Sequence, residues 1–164
     1  MIITIKKYLA NNSVITYHLR IDEEDYQKII GYKIYVTKCG KRGAEYPAIT
    51  HKGKLAYLHR FLFNPDKNLI IDHIDRDPFN LERSNIRQCT RTENNRNRGK
   101  QKRKCSSVYK GVCWNKIYKK WQVEITVNRK AVGLGYYDNE LEAALAYNKA
   151  AQEHFGEFAV LNVV

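Results

Sequence analysis

The sequence has no long apolar run and no cysteine pair at the spacing that binds structural zinc. No apolar stretch approaches the roughly 18–20 residues of a membrane span, and the first residues lack the pattern of a signal peptide. The cysteines form no CxxC motif, so we expect free, packed thiols and no structural zinc. These absences favour a reducing, intracellular compartment without membrane contact. The four cysteines are Cys39, Cys89, Cys105 and Cys113.

A long internal repeat is also absent. The chain has 164 residues, of which 43% are hydrophobic, so one ordinary domain or two small ones can fold around a packed core. This hydrophobic content argues against wholesale disorder. Two small cores would be thin, and small domains often need a metal or a partner for stability.

Positive charge is concentrated in the middle third of the chain. The formal net charge is +12, and residues 83–130 alone hold 15 lysines and arginines against 2 acidic residues. The preceding residues are weakly positive, and residues 131–164 are net negative. Such a basic block is the electrostatic footprint of a protein that binds a polyanion. Nucleic acid is favoured over an anionic membrane or a simple gain in solubility.

Hydrophobic periodicity in the first half predicts short strands and helices. Alternating residues predict two strands within residues 1–22. Acidic residues at 22–25 favour the start of a short helix that runs to Ile30, and apolar residues at helical spacing predict a helix over 55–63. Further strands are predicted at 31–38, 46–50, 69–71 and 84–89, before a helix that starts at Thr90 or Thr92 and runs to Asn97.

The second half predicts three antiparallel strands followed by one helix. Asn139 is the predicted N-cap of a helix over 139–154, and Gly156 is its predicted end. A short apolar strand is predicted at 158–164. The three strands are predicted at 108–114, 120–127 and 131–137. The apolar stripe expected to cover the sheet consists of Leu141, Ala144, Leu145, Tyr147 and Ala151.

Four polar residues around the strands at 69–71 and 84–89 have the types that metal-assisted hydrolysis needs. Asp72 is a hard oxygen donor suited to Mg²⁺, and His73 has an unperturbed pKa near neutrality, as a general base requires. Asn85 lies twelve residues after His73, and Asn94 lies nine further on, where its carbonyl oxygen can bind a hard cation. An isolated Asp-His pair is more often structural, so the spacing of the whole set indicates function.

These residues belong to a longer set of motifs, which resembles the HNH nuclease family over residues 55–98. The motifs are Leu58-His59-Arg60, Asp72-His73-Ile74-Asp75, Asp77-Pro78, Ser84-Asn85-Ile86-Arg87 and Thr92-Glu93-Asn94-Asn95-Arg96-Asn97-Arg98. The resemblance is closest to the phage and intron-homing branch that lacks structural zinc. It implies an α+β fold class with a ββα-metal nuclease unit.

The resemblance also implies a role for each matched residue. His73 would be the general base that activates water, and Asp72 and Asn94 would hold one divalent cation, Mg²⁺ or Mn²⁺. Asn85 would brace the loop and orient His73. His59 matches an upstream histidine of the catalytic site, although a buried histidine on a helix is the competing interpretation. The residues expected to contact flanking phosphates are Arg87, Arg96 and Arg98.

The chain departs from the family pattern in the loop between the two strands. Arg76 stands where the family usually has glycine, and Asn80-Leu81-Glu82 stands where it usually has Asp-Asn-Arg. These changes concern the geometry of the loop rather than the expected ligands. Asp75 and Asp77 are interpreted as turn residues, since acids in loops usually only turn the chain.

A second set of motifs follows residue 107. Its stretches are Tyr109-Lys110-Gly111-Val112, Trp114, Lys120-Trp121-Gln122-Val123-Glu124-Ile125, Gly133-Leu134-Gly135-Tyr136-Tyr137 and Glu142-Ala143-Ala144-Leu145-Ala146-Tyr147. They resemble the plant APETALA/ethylene-response-factor type DNA-binding domain, which nuclease relatives carry at their C-terminus. The resemblance implies a three-stranded antiparallel sheet that packs on one helix and lies in the major groove.

Basic and aromatic residues of this module are the expected contacts with duplex DNA. Core packing is the competing interpretation for both tryptophans. In the plant domains several base contacts come from arginine and tryptophan at positions that hold Cys113, Thr126, Ala131 and Gly133 here. We therefore expect a different recognised sequence or only weak specificity. The expected contacts are Lys110, Trp114, Lys116, Lys120, Trp121, Arg129 and Lys130.

Together the motifs predict a metal-dependent DNA endonuclease that nicks DNA or makes double-strand breaks. Two alternatives stay open: a DNA-binding protein that keeps the nuclease fold without catalysis, and an RNA-binding protein whose aromatic residues stack bases. The expected partner is double-stranded DNA, a monomer is favoured, and the expected location is the cytoplasm of a prokaryotic or phage-infected cell. The predicted domains are a β-rich extension (1–54), the nuclease core (55–98), a basic linker (99–107) and the DNA-binding domain (108–164).

Overall fold

The structure, a computed structural model, describes residues 1–40, 43–100 and 106–164 and divides into two compact units. The first unit is Met1–Arg91 and the second is Thr92–Val164. Small antiparallel sheets and short helices form the chain, so the predicted mixture of helices and strands is confirmed. Within the described ranges, no helix has both the length and the apolar character that crossing a membrane requires.

The predicted domain boundaries stay predictions. Residues 1–54 and 55–91, predicted as separate segments, lie in one compact unit. Most of the predicted basic linker at 99–107 falls on residues 101–105, which lie outside the described residues, as does Cys105. Among the described residues, Cys39, Cys89 and Cys113 form no disulfide bond, and Cys89 is buried.

A β-hairpin begins the first unit. β1 (Ile2–Tyr8) pairs antiparallel with β2 (Val14–Arg20), as the alternating pattern predicts. Side chains two residues apart on a strand share a face. Ile5 and Leu19 accordingly lie on the same face of the hairpin, and both are buried.

A short helix and a second antiparallel sheet follow. α1 (Glu23–Tyr26) begins in the acidic stretch that predicts a helix start, but it ends well before Ile30. The prediction of one helix over 55–63 is wrong at its beginning, because residues 55–57 pair with a neighbouring strand and only α2 (Leu58–Phe63) is helical. Strand pairing overrides the local helical spacing there. The strands of this sheet are β3 (Ile34–Lys38), β4 (Glu45–His51) and β5 (Lys54–Tyr57), in that order.

One hydrophobic core joins the N-terminal strands to the segment that carries the nuclease motifs. Its members come from the hairpin, from β4 and α2, and from the loop that follows His73. Burying an aliphatic or aromatic side chain of this size contributes about 1.5–3 kcal/mol. The buried core residues are Ile5, Leu19, Ile21, Ile29, Ile49, Leu58, Phe79 and Leu81.

An ion pair at a buried carboxylate makes a second connection between these segments. Asp25 on α1 is fully buried, and Arg83 donates to both of its carboxylate oxygens, from Nε at 2.7 Å and from Nη2 at 2.8 Å. Lys28 Nζ donates to the same carboxylate at 2.7 Å. A buried carboxylate is tolerated only when such partners offset its desolvation. The pair therefore fixes α1 against the 3₁₀ turn Arg83–Asn85.

The nuclease motifs lie on a two-stranded hairpin and the helix after it. β6 (Ile70–His73) pairs antiparallel with β7 (Ile86–Cys89), and α3 (Arg91–Arg96) follows. The strand predicted at 69–71 extends further, so Asp72 and His73 belong to β6 itself. The strand predicted at 84–89 starts two residues later, because a 3₁₀ turn precedes it.

The second unit contains a three-stranded antiparallel sheet. Its strands are β8 (Val112–Asn115), β9 (Lys120–Val127) and β10 (Lys130–Tyr137), with β9 in the centre. The three predicted strands are confirmed, although the first begins at Val112 rather than at residue 108. Asn128 and Arg129 both have positive φ, 50° and 67°, as a two-residue type I′ hairpin turn requires.

One helix, α4 (Glu140–Phe155), packs on this sheet. Asn139 Oδ1 accepts a hydrogen bond from Leu141 N at 2.7 Å, which confirms the predicted N-cap, and Gly156 ends the helix as predicted. The predicted apolar stripe is partly wrong, because Leu141 and Leu145 are about half exposed. Alanines allow close approach of helix and sheet, and the buried face is Ala143, Ala144, Tyr147, Ala150, Ala151 and Phe155.

The predicted strand at 158–164 is wrong. Gly156–Phe158 forms a 3₁₀ turn, and the residues after it form no strand. Asparagine side chains supply the hydrogen bonds that a neighbouring strand would give. Asn148 Nδ2 donates to Asn162 O at 2.9 Å, and Asn148 Oδ1 accepts from Asn162 N at 2.7 Å.

Gly111 sits where the chain touches α4 most closely. Its φ of 78° lies in the left-handed region, which glycine tolerates best. A Cβ added at Gly111 would overlap the ring of Tyr147 and would lie 2.8 Å from Glu124 O. Both the backbone conformation and the space therefore require glycine at this position.

We expect Gly111→Ala to destabilise the second unit. The left-handed conformation costs a non-glycine residue about 1–2 kcal/mol, and overpacking against a core ring adds about 1–3 kcal/mol. The free energy of unfolding, measured by urea titration, should fall by at least about 2 kcal/mol. Gly133→Ala is the matched control, because a Cβ at Gly133 meets nothing within 4 Å. Equal losses in the two variants would contradict the prediction.

Candidate active site and DNA-binding surface

Asp72 and His73 lie together at the end of β6, and both are buried. The pairing of β6 with β7 sets Asp72 opposite Arg87 and His73 opposite Ile86. Only 4% of Asp72 and 7% of His73 is exposed. Burying a carboxylate and an imidazole costs free energy and does not by itself help the chain to fold. This placement therefore indicates a functional site.

Arg87 is the ion-pair partner of Asp72. Its Nε and Nη2 atoms lie 2.9 and 2.8 Å from Asp72 Oδ2. The Arg87 side chain is 13% exposed, so the pair is shielded from water. The residue predicted to contact a phosphate thus holds the predicted metal ligand. A phosphate contact by Arg87 would have to compete with this pair.

Asn85 braces the backbone directly after His73. Its Oδ1 accepts from Asp75 N, and its Nδ2 donates to Asp75 Oδ1 and to Asn80 O, each at 2.9 Å. The carbonyl of Asn85 accepts from Ile74 N, also at 2.9 Å. All these bonds end in the loop that follows β6. Asn85 therefore fixes the loop that follows β6.

Asp75 is the centre of this loop. Its Oδ1 also accepts from Asp77 N at 2.9 Å, and its Oδ2 accepts from Asn80 Nδ2 at 2.8 Å and from Arg20 Nη2 at 3.1 Å. Burial alone would raise the pKa of Asp75, but these hydrogen bonds and the Arg20 charge outweigh burial and lower it. The interpretation of Asp75 as a simple turn residue is therefore incomplete. Its position two residues after His73 is the signal that could have revealed this role.

Arg76 adopts a backbone conformation that glycine tolerates best. Its φ is 67°, and its amide donates to His73 O at 2.9 Å. A non-glycine residue in this left-handed conformation costs about 1–2 kcal/mol. Arg76 therefore makes this turn at a position where the resemblance leads us to expect glycine.

The His73 ring lies against aromatic neighbours. Its centroid is 5.5 Å from that of His59, in an edge-on contact, and 6.3 Å from that of Tyr46. Burial lowers the pKa of His73, although the nearby acids Asp75, Asp72 and Asp77 act in the opposite direction. The ring is therefore neutral near neutral pH. A neutral imidazole can accept a proton, as a general base must.

His59 is a buried, neutral member of the same cluster. It lies on α2, 8% exposed, and its ring stacks on Tyr57 at 5.8 Å. Burial, with smaller effects from His73 and Arg60, lowers its pKa to about 3. Its Nδ1 has no hydrogen-bond partner in the part of the chain that the structure describes. The competing interpretation, a buried histidine on a helix, describes its surroundings, and its edge contact with His73 is what connects it to the site.

Asp72, at the end of β6, fits a site at which the protein and the phosphate of a substrate share the ligands of one divalent cation. Among the described residues, no three His, Cys, Asp or Glu side chains form a ready cage for a metal ion. Mg²⁺ usually keeps several waters and binds through one or two carboxylates together with substrate phosphates. One buried carboxylate, Asp72, suits such a site when an amide oxygen completes it.

The second predicted ligand lies in the other compact unit. Asn94 is on α3 and is partly buried. Ligation by Asp72 and Asn94 together therefore stays a prediction.

The two arginines that follow Asn94 have different surroundings. The Arg96 guanidinium lies 5.3 Å from the centroid of the Phe155 ring, whereas Arg98 is exposed.

The two turns of the C-terminal sheet carry exposed basic residues. Lys116 and Lys119 are exposed in the turn between β8 and β9, and Arg129 and Lys130 are exposed at the turn between β9 and β10. Asn115 Oδ1 accepts from the two amides at the tip of the first turn, at 3.0 and 3.1 Å, and so fixes its shape. These turns offer positive charge to a polyanion.

Other predicted DNA contacts are engaged inside the unit. Trp114 and Trp121 form an edge-on pair at 5.1 Å, on the side of the sheet that faces α4. Lys110 Nζ donates to Arg96 O at 3.3 Å and to Arg98 O at 2.6 Å. The core-packing interpretation fits Trp121, which packs against the core of the unit, whereas Trp114 is 37% exposed. Lys120 is also engaged, since its Nζ lies 3.1 Å from Asp138.

Two tyrosines on the opposite face were not predicted as contacts. Tyr118 and Tyr136 have ring centroids 4.7 Å apart, and both rings are exposed. Tyr136 pairs with Gln122, so it points away from the buried face of the sheet. The alternation of Tyr136 and Tyr137 along β10 was the available signal, because only one of two adjacent strand residues can face the core.

Comparison with known proteins places the chain in a family. Residues 62–96 match the family model described as HNH endonuclease. An uncharacterized HNH endonuclease of Acanthamoeba polyphaga mimivirus is 32% identical over 140 residues, which cover 81% of this chain and 68% of the relative. The chain belongs to the HNH endonuclease family. No solved structure matches it.

Family membership confirms the prediction of an endonuclease and supports DNA as its substrate. Asp72, His73, Asn85 and Asn94 lie within the segment that matches the family model. His59 precedes this segment, and the module at 108–164 follows it. The likeness of that module to the plant DNA-binding domain stays a prediction, as do the phage and homing contexts.

We expect His59→Phe to reduce the acid sensitivity of the protein. The pKa of His59 is about 3 in the folded chain, against an ordinary value of 6.5. The unfolded chain therefore binds a proton that the folded chain excludes, and stability is lost as the pH falls below the ordinary value. The loss is at most about 1.4 kcal/mol per pH unit for one proton. Phenylalanine keeps the ring contacts and does not titrate.

The measurement is the free energy of urea unfolding at several values between about pH 7 and pH 5. The advantage of His59→Phe over the wild type should grow as the pH falls. His18→Phe, at an exposed position on β2, is the control and should keep the pH dependence of the wild type. Parallel curves for His59→Phe and the wild type would show that His59 is not the acid-sensitive group.

Proposed function

We propose that this protein is a metal-dependent endonuclease that hydrolyses phosphodiester bonds in duplex DNA, with its catalytic centre at His73. The observation that carries the proposal is a buried carboxylate beside a buried imidazole whose pKa is lowered, both at the end of β6. A general base must be unprotonated at the working pH, and a hard cation needs oxygen ligands. β6, β7 and α3 are assigned as the ββα-metal unit.

His73 is assigned the proton transfer. Its neutral ring takes a proton from a water molecule while the water oxygen bonds to phosphorus and the bond from phosphorus to the 3′ oxygen breaks. Asn85 supports this step by holding the loop after β6, and His59 supports it through its edge contact with the His73 ring. Both are therefore positioning residues in this proposal.

Asp72 and Asn94 are assigned one divalent cation, Mg²⁺ or Mn²⁺. When bound, such a cation would supply positive charge to the scissile phosphate and to the leaving oxygen. Arg87 holds Asp72 through an ion pair, and its positive charge is also assigned to the phosphate. Arg96 and Arg98 are assigned to flanking phosphates.

The C-terminal domain is assigned to duplex DNA binding, as its resemblance to the plant DNA-binding domain implies. Support comes from the exposed basic residues at both turns of the sheet and from the positive charge of the whole 83–130 region. The contacts we favour are Lys116, Arg129 and Lys130, together with the exposed tyrosines 118 and 136. Lys110, Trp114 and Trp121 are assigned to the stability of the domain instead.

The competing function is a DNA-binding protein that keeps the fold and has lost catalysis. Such a protein would be free to lose Asp72, His73 and the loop that holds them. All of these are present, and the loop is held by hydrogen bonds to Asn85. The intact set favours the enzyme.

We expect the wild type with Mg²⁺ or Mn²⁺ to convert supercoiled plasmid into nicked or linear DNA. His73→Ala and Asp72→Asn should lower the cleavage rate by about 100-fold or more, because general base and cation each contribute that much or more. EDTA should abolish cleavage. His18→Ala is the matched control and should cleave like the wild type. Binding without cleavage, on plasmid and on genomic DNA of the source, would favour the competing function.

The exposed lysines of the first sheet turn should supply affinity rather than chemistry. Replacing Lys116 and Lys119 by glutamine should weaken duplex binding and reduce the slope of log affinity against log salt by about 1–2. Lys149→Gln, at an exposed position on α4, is the control and should leave the slope unchanged. The cleavage rate at saturating protein should stay at the wild-type value. An unchanged slope in the double variant would remove this turn from the interface.

A further inference from the structure

We propose that Arg20, on the N-terminal hairpin, is a positioning residue of the nuclease: it holds the loop that follows His73. The sequence assigns no role to residues 1–54. Arg20 ends β2, far from the catalytic motifs in the chain, yet it makes both backbone and side-chain contacts with their loop. The inference rests on the proposed function and extends the working site beyond the family motifs.

Backbone hydrogen bonds make the first contact. Arg20 N donates to Phe79 O at 2.8 Å, and Arg20 O accepts from Leu81 N at 2.8 Å. The two bonds form a parallel bridge between Arg20 and Asn80. Arg20 therefore pairs with the loop as a neighbouring strand would, and this pairing fixes the end of the loop that is farther from His73.

The side chain makes the second contact, at the near end of the loop. Arg20 Nη2 lies 3.1 Å from Asp75 Oδ2 and 3.2 Å from Asp77 Oδ2. Asp75 is the residue that Asn85 holds through two hydrogen bonds. Only one residue separates Asp75 from His73. The Arg20 charge therefore acts on the same carboxylate that orients the backbone next to the proposed base.

The contact is too exposed to serve mainly for stability. The side chains of Arg20, Asp75 and Asp77 are 40%, 36% and 43% exposed. Exposed ion pairs contribute about 0–1 kcal/mol to folding. The buried core holds the hairpin on the unit without this pair. Loss of the guanidinium is therefore expected to loosen the loop while the fold persists.

A direct phosphate contact by Arg20 is the rival explanation, and kinetics separate the two. Removing a phosphate contact weakens DNA binding, whereas removing a positioning contact lowers the rate with DNA bound. Single-turnover cleavage of plasmid at increasing protein concentration gives both the limiting rate and the half-saturating concentration. The variants are Arg20→Ala and Arg20→Lys.

The matched control is Lys7→Ala. Lys7 lies on the same hairpin and pairs with Glu45 on β4 at 2.6 Å, with 27% and 24% side-chain exposure. Arg20→Ala should lower the limiting rate about ten-fold or more, as small misplacements of catalytic groups do. Its half-saturating concentration should stay near the wild-type value. Arg20→Lys should recover part of the rate, and Lys7→Ala should match the wild type.

Amide hydrogen exchange tests the same idea without catalysis. Asp75 N donates to Asn85 and Asp77 N donates to Asp75, so both amides report on the loop. Both amides should exchange faster in Arg20→Ala than in the wild type, and their exchange should be unchanged in Lys7→Ala. Unchanged exchange in Arg20→Ala, or a raised half-saturating concentration at an unchanged limiting rate, overturns the inference. If exchange is faster in Arg20→Ala but the wild type cuts no DNA, the loop contact stands and the proposed function is wrong.

Discussion

The paired hydrogen bonds between Asp75 and Asn85 are the contact on which the rest of the nuclease site depends. One amide side chain both donates to the Asp75 carboxylate and accepts from its backbone, so the loop has a single orientation at that point. Asn85 can do this because its side chain offers donor and acceptor together. His73 leaves β6 directly before this fixed point, and its ring is thereby kept among its aromatic neighbours. The geometry at the proposed base therefore depends on Asn85, whose side chain bonds to the loop.

Burial has more influence on the protonation of the two histidines than the surrounding charges have. Three acids near His73 favour its protonated form, yet the net effect lowers its pKa. His59 has no acid among the causes of its shift, and its pKa falls to about 3. The surroundings differ because His73 ends a strand that leads into an acidic loop, whereas His59 lies on α2. One residue is thereby suited to accept a proton, and the other to act as a neutral support.

The polar residues of the site could be predicted from the sequence, whereas the contacts that hold them could not. The resemblance of the short motifs to the HNH family selects Asp72, His73 and Asn85, because these motifs keep their order in the chain. Arg20 lies 55 residues before Asp75, and no local pattern records a contact over that distance. The same limit applies to the prediction of the fold from local patterns. Strands with clear alternation were predicted well, but the helical spacing at 55–63 misled because tertiary strand pairing decides its first residues.

The shared core has a consequence for anyone who wishes to transplant this nuclease. A module cut out at the start of the family motifs would lose Leu19, Ile21 and the partner of the loop backbone, and it would expose Phe79 and Leu81 to water. Catalytic residues would all be present in such a fragment, but their scaffold would be missing. The smallest fragment that keeps the nuclease scaffold is therefore determined by packing, and it includes the first strand of the chain.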